Sequence, residues 1–376
     1  MDKLKVGVIG CGGIATLKHF PAMLKASDRM DVVACCDIIE ERAAQAAGKF
    51  GSKDAKVYTD YRKLLEDKSI DVVHVLTPNV SHCALTVDAL EAGKHVMCEK
   101  PMAATSADAK KMLEASRRTG KKLTIGYQNR FRRDVQVMYE ACHRGDLGDI
   151  YFAEAQAVRR KGVPTWGVFP DKSKQGGGPL IDIGTHALDM TLWSMNNYKP
   201  QLITGSVFQK MKDNFEGNLF GPWDPKTYEV EDSAFGFIKM ENGATIILEA
   251  SWAINMRKNR EGNVILCGTK AGVECLGEGA GAPTVPVEGP GKAIFNTARN
   301  GQLVDIVPME ISGPGPADFG GDPWRVGDAE LKAWHDAILN NTEPVVRPEQ
   351  AFVVTQILEA VYKSAETGKS IDLSQA

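Results

Sequence analysis

The chain has 376 residues, more than a single hydrophobic core usually organises, and this length predicts two domains. Its 45 Lys and Arg residues nearly balance its 48 Asp and Glu residues, without long runs of one sign, which argues against nucleic-acid or membrane-surface binding. Since no apolar run reaches transmembrane length and the short apolar start is unlike a secretory signal, a cytoplasmic protein is predicted.

The first third of the chain alternates short β-branched runs with helical patterns. Strands are predicted at 5–9, 31–37, 71–76, 95–99 and 123–125, and helices at 40–50, 81–93 and 106–120. This alternation is typical of a parallel sheet with crossover helices. Residues 1–125 are therefore predicted to form a doubly wound parallel sheet of the Rossmann type in an α/β protein.

The pattern changes from residue 126 onward. Strand-like runs at 234–240 and 244–252 are joined through Asn242-Gly243, a strong hairpin signal, so an antiparallel or mixed sheet is predicted within a second domain over 126–376. Glycine and proline crowd residues 277–323, which favours a surface excursion, a lid or an oligomer contact. Two amphipathic helices, 328–339 and 348–367, are predicted to close this domain.

The cysteines and histidines indicate neither disulfides nor a metal centre. Eight cysteines lie scattered in apolar segments without a CxxC pair, which is typical of reduced, mostly buried thiols. The seven histidines include no HxH or HExxH spacing. No catalytic metal is predicted.

A dinucleotide fingerprint follows the first predicted strand. It reads Gly10-Cys11-Gly12-Gly13-Ile14-Ala15, a GxGxxA motif at the point where a strand should pass into a helix. Gly10 permits the tight turn, Gly12 allows close approach to a pyrophosphate, and the helix N-terminus faces the phosphates. Residues Gly10, Gly12, Gly13 and Ile14 are therefore predicted to bind the cofactor, the alternative being an ordinary tight turn.

Asp37 ends the second predicted strand, about 22 residues after the loop, where an acid accepts hydrogen bonds from ribose hydroxyls. Its carboxylate would repel a 2′-phosphate, although Arg42 lies one helical turn further on. NAD is therefore predicted in preference to NADP. The alternative for Asp37 is the N-cap of the following helix.

Asp182 and His186 are the predicted catalytic pair. Four residues apart, they share one face if the segment is helical, and three glycines just upstream would let the backbone approach a ligand closely. Imidazole suits removal of a hydroxyl proton near neutral pH, so His186 is the predicted general base and Asp182 orients it. Lys100, at the carboxyl end of the fifth strand, is placed to stabilise a developing alkoxide.

Recognition of a small polar substrate requires several hydrogen-bonding side chains and an apolar platform. The candidates are Gln128, Asn129, Arg159, Lys161 and Trp166. Trp166 has the alternative of a core position, and neighbouring Arg130 that of a structural ion-pair partner.

Further motifs stand in an order that resembles one family. They are the GCGGIA loop, Thr77-Pro78-Asn79 with His82, Gly93-Lys94-His95-Val96, Glu99-Lys100-Pro101, the GYQNRF segment at 126–131 and GGGPLIDIGTH at 176–186. Together they are similar to the Gfo/Idh/MocA oxidoreductases over nearly the whole chain. The resemblance implies a Rossmann domain followed by an α/β domain with an open, mostly antiparallel sheet that often packs against another subunit.

The resemblance also assigns residues. It implies that Thr77, Pro78, Asn79 and His82 line the path from adenine to nicotinamide, and that Glu99 and Lys100 lie beside the nicotinamide. It further implies that residues equivalent to Lys100, Asp182 and His186 surround the reacting hydroxyl. A homo-oligomer is the expected assembly.

The segment 163–189 resembles the glycoside 3-dehydrogenases of that family. This implies oxidation at C3 of a glucose-like ring. Three alternatives remain open: an inositol or other polyol dehydrogenase, a glycosidase that uses NAD for transient oxidation, and an NAD-sensing protein without chemistry.

Overall fold

A computed structural model describes residues 3–277, 292–308 and 325–374. The chain divides into two compact units. The first contains the described residues up to Gln128 together with 325–352, and the second contains the described residues from Asn129 to 308 together with 353–374. Each unit is built around a sheet of its own.

The first unit contains a parallel six-stranded sheet in the order β3-β2-β1-β4-β5-β6. Its strands are β1 (Leu4–Ile9), β2 (Met30–Cys36), β3 (Lys56–Tyr58), β4 (Val72–Val75), β5 (His95–Cys98) and β6 (Leu123–Ile125). Its first helices are α1 (Phe20–Lys25), α2 (Glu40–Phe50), α3 (Tyr61–Glu66), α4 (His82–Glu91) and α5 (Ser106–Thr119). A π-helical turn, Ala15–His19, leads into α1. The strand order is that of the doubly wound dinucleotide-binding fold, whose ligand crevice lies between β1 and β4.

The predicted strands and helices of this unit are all present. β1 and β4 read as almost continuous apolar runs because both faces of a parallel sheet are covered. The left-handed backbone at Gly120, with φ of 65°, ends α5 as the sequence predicts. The sequence did not predict β3 and α3, since three and six residues are too short for a clear periodic signal.

The second unit contains a mixed sheet in the order β14-β13-β12-β11-β7-β10-β9-β8-β15. Its strands are β7 (Ile150–Val158), β8 (Pro200–Phe208), β9 (Ser233–Met240), β10 (Thr245–Ser251), β11 (Arg260–Gly268), β12 (Gly272–Leu276), β13 (Lys292–Arg299), β14 (Gln302–Ile306) and β15 (Ile371–Asp372). β7 and β10 are parallel and the other pairs are antiparallel. The predicted hairpin is present as β9 and β10, with Gly243 at φ of 88° in the turn.

Helices cover one face of this second sheet. They are α6 (Arg133–His143), α8 (Thr185–Met195) and α10 (Pro348–Thr367), and the short helix α7 (Lys172–Gln175) precedes α8 in the chain. The first residues of α10, to Phe352, belong to the first unit. Val361 of α10 packs so closely on Gly205 and Gly236 that a Cβ at either position would meet it. The wholly buried Ala234 and Ile238 point toward the helices, whereas the half-exposed Phe237 lies on the opposite face.

Two sequence expectations differ from the structure. Helix α9 (Arg325–Leu339) was expected to close the second domain, but it belongs to the first unit because Leu331 and Trp334 join the core of that unit. Within 277–323, residues 292–306 form the hairpin of β13 and β14 rather than a plain excursion. The glycine- and proline-rich stretches 278–291 and 309–323 lie outside the described residues.

The remaining global features concern cysteines and membrane spans. All eight cysteines are free thiols, and five of them are buried. In the described ranges, no helix combines the length and apolar character needed to cross a bilayer.

Candidate active site

The fingerprint loop has the geometry that a dinucleotide loop needs. Gly10 has φ of 94°, and a Cβ there would lie 2.6 Å from the Leu76 carbonyl oxygen, so only glycine fits. At Gly12 and Gly13, by contrast, a Cβ would meet no atom within 4 Å. The backbone of these two glycines therefore borders open space at the start of the helical segment, which suits a phosphate. The half-exposed Ile14 follows in the same turn.

Asp37 lies directly after β2 and fastens this loop. Its Oδ2 accepts the Cys11 N–H at 2.9 Å, and its Oδ1 accepts the Ile39 N–H at 2.9 Å. The N-cap residue of α2 is Ile39, so the N-cap alternative for Asp37 is wrong. An ionised carboxylate has about four acceptor sites, so Asp37 keeps acceptor sites beyond the two that these backbone N–H groups use. Arg42 is exposed one turn further on.

The segment after β4 carries the next predicted cofactor residues. Thr77 Oγ1 and Ser81 Oγ are 2.7 Å apart, Pro78 is exposed, and Asn79 begins a short 3₁₀ turn. His82 is wholly buried, and its two ring nitrogens each lie 2.8 Å from a backbone carbonyl, those of Thr77 and Pro101. His82 thus ties the turn after β4 to the turn after β5. Both ring nitrogens of His82 are therefore engaged with backbone carbonyls inside the protein.

Glu99 and Lys100 follow β5. The Glu99 carboxylate is buried, and its Oε2 accepts the backbone N–H of Lys100 at 3.0 Å. Its Oε1 lies 2.6 Å from Lys18 Nζ and 2.8 Å from His19 Nε2. Burial alone would raise the pKa of Glu99, but the Lys18 charge and the His19 hydrogen bond hold it well below its usual value. Lys100 itself is partly exposed at the carboxyl end of the sheet.

The chain passes from the first unit to the second between two of the predicted substrate residues. Gln128 belongs to the first unit, where its Oε1 lies 3.4 Å from Lys18 Nζ. Asn129 is buried and belongs to the second unit. The adjacent Arg130 makes a buried ion pair with Asp189 at 2.6 Å, which confirms the structural alternative for this arginine.

Asp182 and His186 lie on successive turns of one helical segment in the second unit. Asp182 belongs to a π-helical turn, Leu180–Gly184, and His186 to α8, which continues from it. π-turns occur frequently at functional sites. Asp182 Oδ2 accepts the indole N–H of the wholly buried Trp252 at 3.1 Å. That bond fixes the Asp182 carboxylate, and the half-buried His186 follows about one turn later in the same helical segment.

Two of the three glycines before this turn serve internal packing. A Cβ on Gly177 would collide with Tyr362 Oη, and a Cβ on Gly178 would collide with the Glu231 carbonyl oxygen. The buried Glu231 carboxylate also accepts the Gly178 N–H at 2.8 Å, the Leu180 N–H at 3.2 Å and the Tyr362 hydroxyl at 2.7 Å. The sequence interpretation, close approach to a ligand, therefore differs from the contact that the structure shows at Gly177 and Gly178.

Arg159 was expected to bind substrate, but its guanidinium is engaged elsewhere. Nε and Nη2 each donate to a Glu261 carboxylate oxygen at 2.6 Å, and Nη1 donates to the Gly162 carbonyl at 3.0 Å. The whole side chain is buried. Arg159 is thus a structural ion-pair residue. Its guanidinium is held in a buried bidentate pair and does not bind a sugar.

Trp166 has the exposure that a sugar platform needs. Its side chain is 48% exposed, so the alternative of a core tryptophan is wrong. The ring lies edge-to-face with Phe220, at a centroid distance of 4.7 Å, and with Phe169, at 5.9 Å. Phe169 in turn lies 6.2 Å from the ring of Trp252, which bonds Asp182. Lys161 instead holds the loop after β8, donating to Asn214 Oδ1 and to the Glu216 carbonyl.

Sequence reasoning missed the residues that support this site. Lys18, His19, Glu231, Trp252 and Tyr362 carry no motif signal of their own. Only Lys18 could have attracted notice, since a charged residue stands among apolar neighbours at the start of a helix. Among the described residues, no group of three or more His, Cys, Asp or Glu side chains could hold a metal ion.

The Rossmann sheet, the open loop at Gly12 and the acid after β2 define an NAD-binding protein of the oxidoreductase class. The family model described as "Oxidoreductase family, NAD-binding Rossmann fold" matches residues 4–127. The model for the C-terminal alpha/beta domain of the same family matches residues 140–373. The chain therefore belongs to the Gfo/Idh/MocA oxidoreductase family, which confirms the predicted family, fold class and NAD cofactor.

Individual relatives agree with this assignment. The chain is 37% identical to D-glucoside 3-dehydrogenase of Escherichia coli (strain K12) over 370 residues, which cover 98% of this chain and 97% of the relative. It is 31% identical to an inositol 2-dehydrogenase of Salmonella typhimurium over 52% of this chain and 56% of the relative. A levoglucosan dehydrogenase solved with NADH and levoglucosan has the same fold, with a TM-score of 0.81 at 21% identity over 100% of both chains.

Proposed function

We propose that this oxidoreductase moves hydride between NAD and a hydroxyl of a sugar or glycoside, and that the carbon is C3 of a glucose-like ring. The observation that carries the proposal is the near-full-length similarity to D-glucoside 3-dehydrogenase. The Asp182–His186 pair on one helical segment supplies the acid–base groups that alcohol oxidation requires.

The proposed roles follow from the chemistry of each side chain. His186 removes the hydroxyl proton, and Asp182, held by Trp252, orients the hydroxyl and the imidazole. The Lys100 ammonium stabilises negative charge on the oxygen as the proton leaves. NAD, when bound, supplies the two-electron acceptor. We propose that Gly10, Gly12, Gly13 and Ile14 hold its phosphates, with Asp37 at the ribose.

The other candidate contacts serve binding rather than chemistry. We propose that Thr77, Pro78 and Asn79 contact the cofactor, with His82 behind them as a support. Gln128 and Asn129 would supply amide hydrogen bonds to the sugar, and the exposed indole of Trp166 a face on which the sugar ring or its aglycone stacks. In this proposal Arg159 no longer has a direct role.

A substrate panel tests the proposal. Methyl glucoside, an aryl glucoside and myo-inositol are each incubated with enzyme and NAD, and carbon NMR locates any new carbonyl group. We expect a carbonyl at C3 of both glucosides with the glycosidic bond intact. Trp166→Ala should raise KM for the glucosides by about tenfold, because it removes a stacking face. Tyr151→Ala is the matched control, since Tyr151 is an exposed aromatic residue of the same unit.

Each other outcome favours a named alternative. A ketone on inositol alone would contradict oxidation at C3 and favour a polyol dehydrogenase. Release of the aglycone would favour the NAD-using glycosidase. Binding of NADH without oxidation of any of the three compounds would favour a sensor.

We further propose that the open face of the second sheet joins two copies of the chain. Phe237 and Ile247 are cross-strand neighbours on that face, and Phe237 is 50% exposed. Ile265 lies two strands beyond Ile247, with Glu154 of β7 between them. Exposed apolar side chains on an uncovered sheet face are typical of a subunit interface. Sedimentation analysis should show an oligomer that Phe237→Lys dissociates; a monomeric wild-type protein would contradict this proposal. A cytoplasmic location stays a prediction, in keeping with eight free thiols.

A further inference from the structure

Lys18 is a buried ammonium surrounded by acceptors. Its side chain is 1% exposed, and Nζ lies 2.6 Å from Glu99 Oε1, 2.9 Å from Glu330 Oε2 and 3.4 Å from Gln128 Oε1. An ammonium has three donors, and three acceptors surround it. Burial opposes the charge, yet Glu330 and Glu99 together raise the pKa of Lys18 above its usual value. Lys18 is therefore charged and fixed in one position.

The other contacts of Glu99 complete the arrangement. Its Oε1 also faces His19 Nε2, while its Oε2 accepts the Lys100 backbone N–H. A Cβ on Gly126 would lie 3.1 Å from the Glu99 carboxylate, so the backbone of Gly126 packs directly against it. Burial and the nearby Lys18 charge lower the pKa of His19, so this imidazole is neutral near pH 7. Lys18 is therefore the cation that neutralises the charge of Glu99. The titratable groups around Glu99 include Lys18, His19, His74, His82, Cys98, Lys100 and Glu330.

Glu330 comes from helix α9, far along the chain. Its buried carboxylate contacts Lys18 Nζ, so α9 contributes a charged side chain to the group around Glu99. The same two segments are also joined by Lys25 and Asp328 at 2.6 Å, but these side chains are 52% and 31% exposed. One buried and one exposed ion pair therefore join α9 to the helical segment that carries Lys18 and Lys25.

We propose that Lys18 is a positioning residue. Glu330 holds Lys18, and Lys18 fixes the Glu99 carboxylate. Glu99 accepts the backbone N–H of Lys100 and so fixes the backbone from which Lys100 acts. This rests on the proposed role of Lys100 and on the place beside the nicotinamide that the family resemblance implies for Glu99. Lys18 and His19 are the side chains that lower the pKa of the Glu99 carboxylate most strongly. Without Lys18, Glu99 would be a buried carboxylate facing a neutral histidine, and its pKa would rise.

Binding of NADH at several pH values tests the proposal, with NADH fluorescence as the readout. Lys18→Met should weaken NADH binding at least ~10-fold, because a buried partner of Glu99 is lost. The loss should grow as the pH falls from about 8 to about 6, since Glu99 then takes up a proton, whereas the wild type should stay flat over that range. Lys25→Met should remain within ~2-fold of the wild type with the same flat profile.

A second variant covers the case in which Lys18→Met does not fold. Lys18→Met/Glu330→Leu leaves no unpaired carboxylate at position 330, and it should fold with the same weakened, pH-dependent NADH binding. Wild-type affinity and a flat profile in the folded variant would overturn the proposal and leave Lys18 a merely structural partner of Glu330. NADH binding needs no sugar, so this result is independent of whether the sugar proposal holds.

Discussion

His186→Ala is expected to lower turnover by at least ~100-fold, the usual scale for the loss of a general base. Lys100→Ala should have an effect of similar size, because it removes the cation that favours the alkoxide. NAD binding should remain largely intact in His186→Ala, since the residue belongs to the second unit and the fingerprint loop to the first. Single-turnover formation of NADH, with NAD binding measured separately, would separate chemistry from binding.

The matched control is His143→Ala. His143 is an exposed histidine of the same unit whose Nδ1 lies 3.0 Å from the Tyr139 carbonyl at the end of α6. Its removal should leave turnover near the wild-type value. Wild-type rates in both His186→Ala and Lys100→Ala would remove these residues from the mechanism while leaving the family assignment untouched.

Gly178→Ala is expected to cost stability and activity together. The new methyl group would collide with the Glu231 carbonyl oxygen and approach the Glu231 carboxylate to 3.1 Å. Overpacking of a buried contact costs about 1–3 kcal/mol of unfolding free energy. The turn that carries Asp182 begins two residues later, and a displacement of about 1 Å there should lower kcat by ~100-fold. Thermal unfolding and steady-state kinetics measure the two effects.

Gly12→Ala is the matched comparison for stability. Its Cβ would meet no atom within 4 Å, so the unfolding temperature should stay at the wild-type value. The methyl group would nevertheless occupy the open space beside the loop, and NAD affinity should fall. Equal stability of Gly178→Ala and Gly12→Ala would show that the Glu231 contact does not require glycine.

The local signals in the sequence were accurate where structure depends on near neighbours. The strands and helices of the first unit, the turn at Gly10 and the Asn242-Gly243 hairpin follow from periodicity and backbone conformation. The condition on which the pairing of Asp182 and His186 depended, a helical segment that carries both residues, is met. The glycines at 177 and 178 correctly indicated a close approach of the backbone to another group. That group is Tyr362 or Glu231 of the same unit rather than the predicted ligand.

The sequence by itself determined the fold class, the family, the cofactor and the motif residues, because those depend on short stretches of chain and on their order. Only the tertiary structure decided which charged side chains are buried and with whom. Arg159 pairs with Glu261, 102 residues away, and Tyr362 bonds Glu231 across 131 residues. The ion pair between Lys18 and Glu330 likewise forms because α9 belongs to the same unit as Lys18. A charge is buried only when packing supplies its partner, and packing is a property of the whole fold rather than of any local pattern.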